Sequence, residues 1–190
     1  MTSLYLHKNY EITKENKLHP TNNKYFFRKF IDTKYVAHYT EYQICKILKK
    51  HPHKNIVNIY AVTHKYIDME ILDLNSKNYN YMELCDAIEH LHSLNIVYLD
   101  IFRRNIGFSK ETGKLKLFDF NCSGILKEPM EWDREPFIYG NMYQYVVQNF
   151  KVKNYIYYDY ILLTKFLKKH QKSKRRSFFA CLWNKFFARS

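Results

Sequence analysis

The stretch from Tyr81 to Asn121 constrains this chain more than any other, because a helical period runs almost unbroken into two apolar segments around a charged loop. Tyr81, Leu84, Cys85, Ile88 and Leu91 recur at i, i+3, i+4, i+7 and i+10, one face of an amphipathic helix. Ile96 to Leu99 and Lys114 to Phe118 read as short strands flanking the loop.

Elements of the other kind precede this stretch. The first 25 residues read as loop with a weak hairpin, and Tyr25 to Ile31, aromatic and bounded by polar residues, as a strand. From Tyr39 to Lys49, Ile44, Cys45 and Leu48 share a helical face, and His51-Pro52 ends that helix. Ile56 to Val62 and Tyr66 to Leu72 read as two more strands. A long irregular region follows Asn121, and Asp159 to Leu167 is a second apolar helix. Strands first and helices later, around a central hinge, predict a two-lobed α+β architecture.

At 190 residues the chain fits one domain or two small lobes, and 46% hydrophobic with 18% aromatic residues supplies a core. That excludes disorder of the whole chain. Cys45, Cys85, Cys122 and Cys181 lie far apart, without zinc spacing or the density of a disulfide scaffold, so reduced thiols are expected. The first eight residues hold His7 and Lys8 and no signal-like apolar stretch, and no run reaches the roughly 18 apolar residues of a membrane span. The expectation is an intracellular protein of the cytoplasm or nucleus.

The net charge of +13 is uneven. Nine Lys/Arg and no acid fall between Lys165 and Ser190, against 22 Lys/Arg and 18 Asp/Glu before them. Lys172 to Arg176 is a cluster of nuclear-localisation type, and Phe179, Leu182, Trp183 and Phe186 line one helical face. Such a tail is either solvated, docked on the chain's own body, or in contact with nucleic acid, an acidic protein or a membrane surface.

Tyr98-Leu99-Asp100-Ile101-Phe102-Arg103-Arg104-Asn105 and Asp119-Phe120-Asn121 carry a resemblance. They are similar to the H-R-D-x-x-x-x-N and D-F-G motifs of protein kinases, with the two Asp 19 residues apart. The resemblance runs from about Tyr25 to Leu167. It implies a truncated two-lobed fold, with 1–72 as a small β-rich lobe, 73–167 as a reduced helical lobe and 168–190 as a tail. It also implies transfer of the γ-phosphate of ATP, with Mg2+, to protein Ser/Thr or Tyr hydroxyls. Asp100 then stands as the base and Asn105 and Asp119 as metal ligands. Arg28 or Lys29 grips the phosphates, paired with Glu41. Met69-Glu70-Ile71-Leu72 is the hinge, in which Glu70 and Leu72 offer backbone groups to adenine. Arg104 matches an arginine of many tyrosine kinases or is a surface charge, and Asp159 resembles the Asp that braces the catalytic loop.

The departures are equally specific. No glycine precedes Gly107, so the phosphate lid G-x-G-x-x-G is missing; Leu99 replaces the Arg of H-R-D, Asn121 replaces the glycine of D-F-G, and no A-P-E is found. Where the family keeps a small residue as the roof of the adenine pocket stands Phe26 or Phe27, and where it keeps a branched floor stands Gly107. The ring either sinks over Gly107 or packs into the small-lobe core. The departures leave a second expectation, a pseudokinase that binds a partner kinase or its substrate without catalysis. A small-molecule kinase of the aminoglycoside type and a basic nucleic-acid-binding protein are the remaining alternatives.

Overall fold

The computed structural model describes residues 10–14, 25–76, 79–127 and 155–170. Among them the chain is a small mixed α+β domain of three α-helices and three small antiparallel sheets. The first sheet contains β1 (Tyr10–Lys14), β2 (Tyr25–Phe30), β3 (Ile59–Val62) and β4 (Tyr66–Met69) in the order β1-β2-β4-β3. Helix α1 (Val36–Lys50) packs on β3. The second sheet is β5 (Leu72–Asp73), β7 (Ile106–Ser109) and β8 (Leu115–Leu117), and β6 (Ile96–Val97) pairs with β9 (Gly124–Ile125). Helices α2 (Tyr81–Ser93) and α3 (Tyr155–His170) pack together and against β6.

The helices form for local reasons that the packing then uses. In α1, Thr40, Glu41, Ile44, Cys45 and Leu48 are buried, a stripe of helical period, and Lys49 and Lys50 in the last turn suit the negative end of the dipole. Asn80 caps α2 by accepting from the Met82 amide at 3.1 Å. Glu83, in the first turn of α2, accepts from the Leu115 amide at 2.9 Å and so fixes the helix to β8. Leu84, Ala87, Ile88 and Leu91 of α2 lie fully buried, in one core with Ile96, Leu117, Leu163 and Leu167.

Two expected strands divide where the chain changes sheets. Tyr66 to Leu72 breaks after Met69: β4 stays in the first sheet, and β5 joins β7 with Leu72 opposite Ser109 and Asp73 opposite Phe108. Ile56 to Val62 divides likewise, for Ile56 makes a parallel bridge to Leu117 of β8 before β3 pairs with β4. Lys116 lies under both breaks. Its buried ammonium donates to the Ile56 carbonyl at 3.1 Å and pairs with Glu70 at 3.4 Å. A buried lysine survives only when so partnered.

No helix among the described residues is long and apolar enough to cross a membrane. Cys45, Cys85 and Cys122 are buried free thiols. The tail from Gln171 onward, with its basic cluster and aromatic face, lies outside the described residues, as does the region where A-P-E was sought.

The turn between α1 and β3 rests on α2 through two imidazoles. His53 and His90 stack with centroids 4.5 Å apart at 14°, the His90 ring bonds the His51 carbonyl at 3.0 Å, and His53 Nδ1 accepts from the Asn55 amide. Burial, then His90 and Lys54, push the His53 pKa below its ordinary value; Asp86 opposes them and Lys116 adds to them. A base with a lowered folded pKa contributes stability that is complete above its unfolded pKa, about 6.5, and is lost as pH falls from there through the lower folded pKa. The melting temperature should therefore drop between pH 7.5 and 5.5. That drop should be smaller in His53→Gln, as measured by scanning fluorimetry in matched ionic strength.

Candidate functional site

Three segments remote in sequence meet at one ammonium group. Lys29 Nζ lies 2.7 Å from Glu41 Oε1 of α1 and 2.7 Å from Asp119 Oδ1. Strand alternation sends Lys29 to the α1 face of β2, and the helical stripe of α1 sends Glu41 inward to meet it. Lys29 is 5% exposed and Glu41 fully buried. Burial raises the Glu41 pKa above its ordinary value, while Lys29 works against that rise and Asp119 adds to it. Glu41 Oε1 also accepts from the Phe120 amide at 3.3 Å, whereas Oε2 has no hydrogen-bond partner. Asp119 adopts φ 62°, a left-handed conformation that Asp tolerates better than most residues.

Of the two cations left open by the sequence, Lys29 is the one brought to the acids. Arg28 points from the other face of β2, where Nε and Nη2 donate to the two oxygens of Asp68 at 2.7 and 2.8 Å. Its guanidinium lies 3.9 Å from the Tyr66 ring centroid. A forked, stacked arginine of this kind is a surface clamp on the sheet.

The loop after β6 holds the second cluster. Arg104 donates to both oxygens of Asp100 at 2.9 and 3.0 Å. Asn105 Nδ2 donates to Asp100 Oδ2 at 2.7 Å and to its carbonyl at 3.0 Å. Asp100 and Asn105 are buried, and Arg104 is exposed with its guanidinium 4.6 Å from the Phe102 ring. Because Nδ2 is spent on Asp100, Oδ1 of Asn105 is the oxygen left to meet a cation, and Asp119 Oδ2 is the corresponding oxygen of the other segment. The Phe118 amide donates to the Asn105 carbonyl at 3.2 Å, which ties the two segments together. An amide oxygen and a carboxylate oxygen are hard ligands of the kind that suits Mg2+. No group of three or more His, Cys, Asp or Glu among the described residues could hold a metal by itself.

A buried carboxylate supports this loop from below. Asp159 of α3 accepts from the Tyr98 amide at 2.8 Å and the Leu99 amide at 2.7 Å, and from His92 Nε2 at 2.9 Å. Leu99 has φ 63°, a conformation that costs a residue with a Cβ about 1–2 kcal/mol. The bond from Asp159 to the Leu99 amide holds it there. Tyr98 donates its hydroxyl to the Phe118 carbonyl just before Asp119. Burial, then the nearby Asp119, Asp100 and Asp159, push its phenol well above the usual range, so it stays a neutral donor. His92 and Tyr98 were not read as site residues from the sequence. His92 sits one residue beyond the apolar face of α2, and its only sequence signal is that helical phase.

Glu70 and Leu72 have partners of their own. The Glu70 side chain turns to Lys116 and accepts from the Asn58 amide at 3.3 Å. Ser109 donates its amide to the Lys114 carbonyl, towards β8, so β7 turns Phe108 towards β5 and makes Asp73–Phe108 the bonded pair. The Leu72 amide and carbonyl consequently point away from β7. Leucine side chains lie against Gly107, the position read as a missing floor. The atoms nearest to a Cβ built on Gly107 are Leu72 Cβ at 2.8 Å, Leu72 Cδ1 at 2.9 Å and Leu74 Cδ2 at 3.0 Å. Phe27 is half-buried opposite Met69, and Phe26 is buried on the Arg28 face.

A scan of the chain against protein-family models and a search of the curated proteins each found no match.

The ammonium at the centre gives the site its stability test. Lys29→Met leaves Glu41 buried beside Asp119 with no counter-charge, which should cost about 3–5 kcal/mol in urea unfolding. Adding Glu41→Leu should recover part of that loss, because the second change removes the buried charge itself. Arg28→Ala, on the partly exposed face, should cost much less.

Proposed function

We propose that this chain is a phosphotransferase of the protein-kinase kind, moving the γ-phosphate of ATP to a Ser/Thr or Tyr hydroxyl of a protein. The observation that carries the reading is the Lys29 ammonium 2.7 Å from both Glu41 and Asp119. Phosphoryl transfer asks mainly for positioning and charge stabilisation, and an ammonium in a water-poor cleft supplies the second. On this reading β1 to β4 with α1 form the small lobe, Met69 to Leu72 is the hinge, and the rest is a reduced large lobe.

Each residue then has a physical task. Lys29, oriented by Glu41, holds the phosphates. Asp119 and Asn105 would hold Mg2+, which when bound supplies positive charge against the phosphate oxygens. Asp100 orients the acceptor hydroxyl and takes its proton. The hydroxyl oxygen bonds to the γ-phosphorus as the bond to the bridging oxygen breaks, and ADP leaves with that electron pair. Asp159 keeps Asp100 in place through the backbone of Tyr98 and Leu99.

A second reading, a pseudokinase that binds a partner kinase or its substrate without catalysis, is favoured by one observation. Both oxygens of Asp100 are already engaged by Arg104, and one also by Asn105. Phosphate transfer from radiolabelled ATP to a mixed protein substrate separates the two. Wild-type transfer that falls at least 100-fold in Asp100→Asn, with the melting temperature unchanged, supports the enzyme. Mg·ATP at 100 times its dissociation constant should stabilise by about 2.7 kcal/mol, an increment that Asp119→Asn should reduce. Binding without transfer in either protein favours the pseudokinase.

A further inference from the structure

Resting on the reading that Asp100 receives an acceptor hydroxyl, we propose that Arg104 selects acidic peptides, in which that hydroxyl stands a few residues from a carboxylate. The geometry of one side chain carries the argument. Arg104 puts a single nitrogen, Nη2, on both oxygens of Asp100, at 2.9 and 3.0 Å. Its Nε and Nη1 donate to no described residue. The guanidinium rests on the Phe102 ring, 4.6 Å from its centroid, which steadies it beside Asp100. Arg103, exposed in the same turn, adds positive charge.

The two oxygens of Asp100 are not held alike. Oδ2 also accepts from Asn105, which is buried, whereas Oδ1 is held by Arg104 alone. A carboxylate offers about four acceptor directions and three are in use, so an incoming hydroxyl enters at Oδ1, against Arg104. The Arg104 side chain is 67% exposed and that of Asp100 8%, and an ion pair with so exposed a cation is weak enough to exchange. A forked pair with a second carboxylate needs two neighbouring nitrogens of the guanidinium. It therefore engages Nη2 together with Nη1 or Nε, and draws Nη2 off Oδ1. The acid of the peptide thus uncovers the oxygen that takes the hydroxyl proton, as the hydroxyl oxygen bonds to the γ-phosphorus and ADP leaves with the electron pair of the broken bond. Hydroxyl, Asp100, guanidinium and second carboxylate in a row span at most about 10 Å, which puts the acid within about three residues of the acceptor in an extended peptide.

The test measures transfer from radiolabelled Mg·ATP to peptides carrying one Ser or one Tyr, with Glu, Gln or Lys two residues to either side. Wild-type kcat/KM should be about fivefold higher for the Glu peptides than for the Gln peptides, and lowest for Lys. Arg104→Gln should bring Glu and Gln peptides within about twofold of each other, losing on the first and gaining on the second because Oδ1 is then uncovered. Arg104→Lys, which keeps the charge without the fork, should fall between. The ratio of two peptides is taken on one preparation, so a partly unfolded variant does not alter it. Replacing Lys172, Lys174, Arg175 and Arg176 by Gln should leave the Glu preference in place. Equal wild-type use of the Glu and Gln peptides overturns the inference and leaves the proposed function standing. So does a Glu preference that survives Arg104→Gln, or one that vanishes with the tail charges. Transfer to none of the peptides overturns the phosphotransferase reading together with the inference.

Discussion

One buried ammonium sets the arrangement of the segments around it. Lys29 is nearly inaccessible, and desolvating its charge would be prohibitive without the carboxylates 2.7 Å away on either side. Those carboxylates come from α1 and from the segment after β8, so the rotation of α1, the register of β2 and the left-handed turn at Asp119 are mutually dependent. Glu41 extends the dependence to the Phe120 amide. Glu41 Oε2 has no hydrogen-bond partner, and burial raises the pKa of that carboxyl.

Two further buried charges fix other parts of the frame as Lys29 fixes the segments around it. Asp159 collects two backbone amides and an imidazole, and so fixes the loop that ends at Asp100. Lys116 joins Ile56 and Glu70, at the two places where the chain passes between sheets. The apolar core supplies the bulk of the burial. Because directional bonds tolerate less displacement than apolar contacts, these three charges decide where the loops sit. A site assembled in this way holds its acids in position before any ligand arrives.

Element types were legible in the sequence wherever the pattern was long. The face Tyr81 to Leu91 became α2, the aromatic run from Tyr25 became β2, and the apolar segment around Asp159 became α3. The short apolar stretches from Ile96 and Lys114 became β6 and β8, but other short strands were not legible. β7 and β9 carry four and two residues, and their assignment depends on pairing partners that no local pattern reveals. The two divided strands fail for the same reason, since apolar residues resume on both sides of the changes of sheet, around Asn58 and around Glu70.

What the sequence determined by itself was the chemistry available: Asp100, Asn105 and Asp119 at a spacing that a loop and a hairpin can close, and Glu41 within a helix. Arg28 and Lys29 are adjacent cations, and only the pairing of Phe27 with Met69 across β2 and β4 decided which of them faces Glu41. Gly107, read as a missing floor, has Leu72 and Leu74 against it, because β5 pairs with β7 and lays Leu72 over the glycine. Facing in a strand changes with a one-residue shift of register. Register is set by long-range pairing, so the tertiary structure alone could decide these contacts.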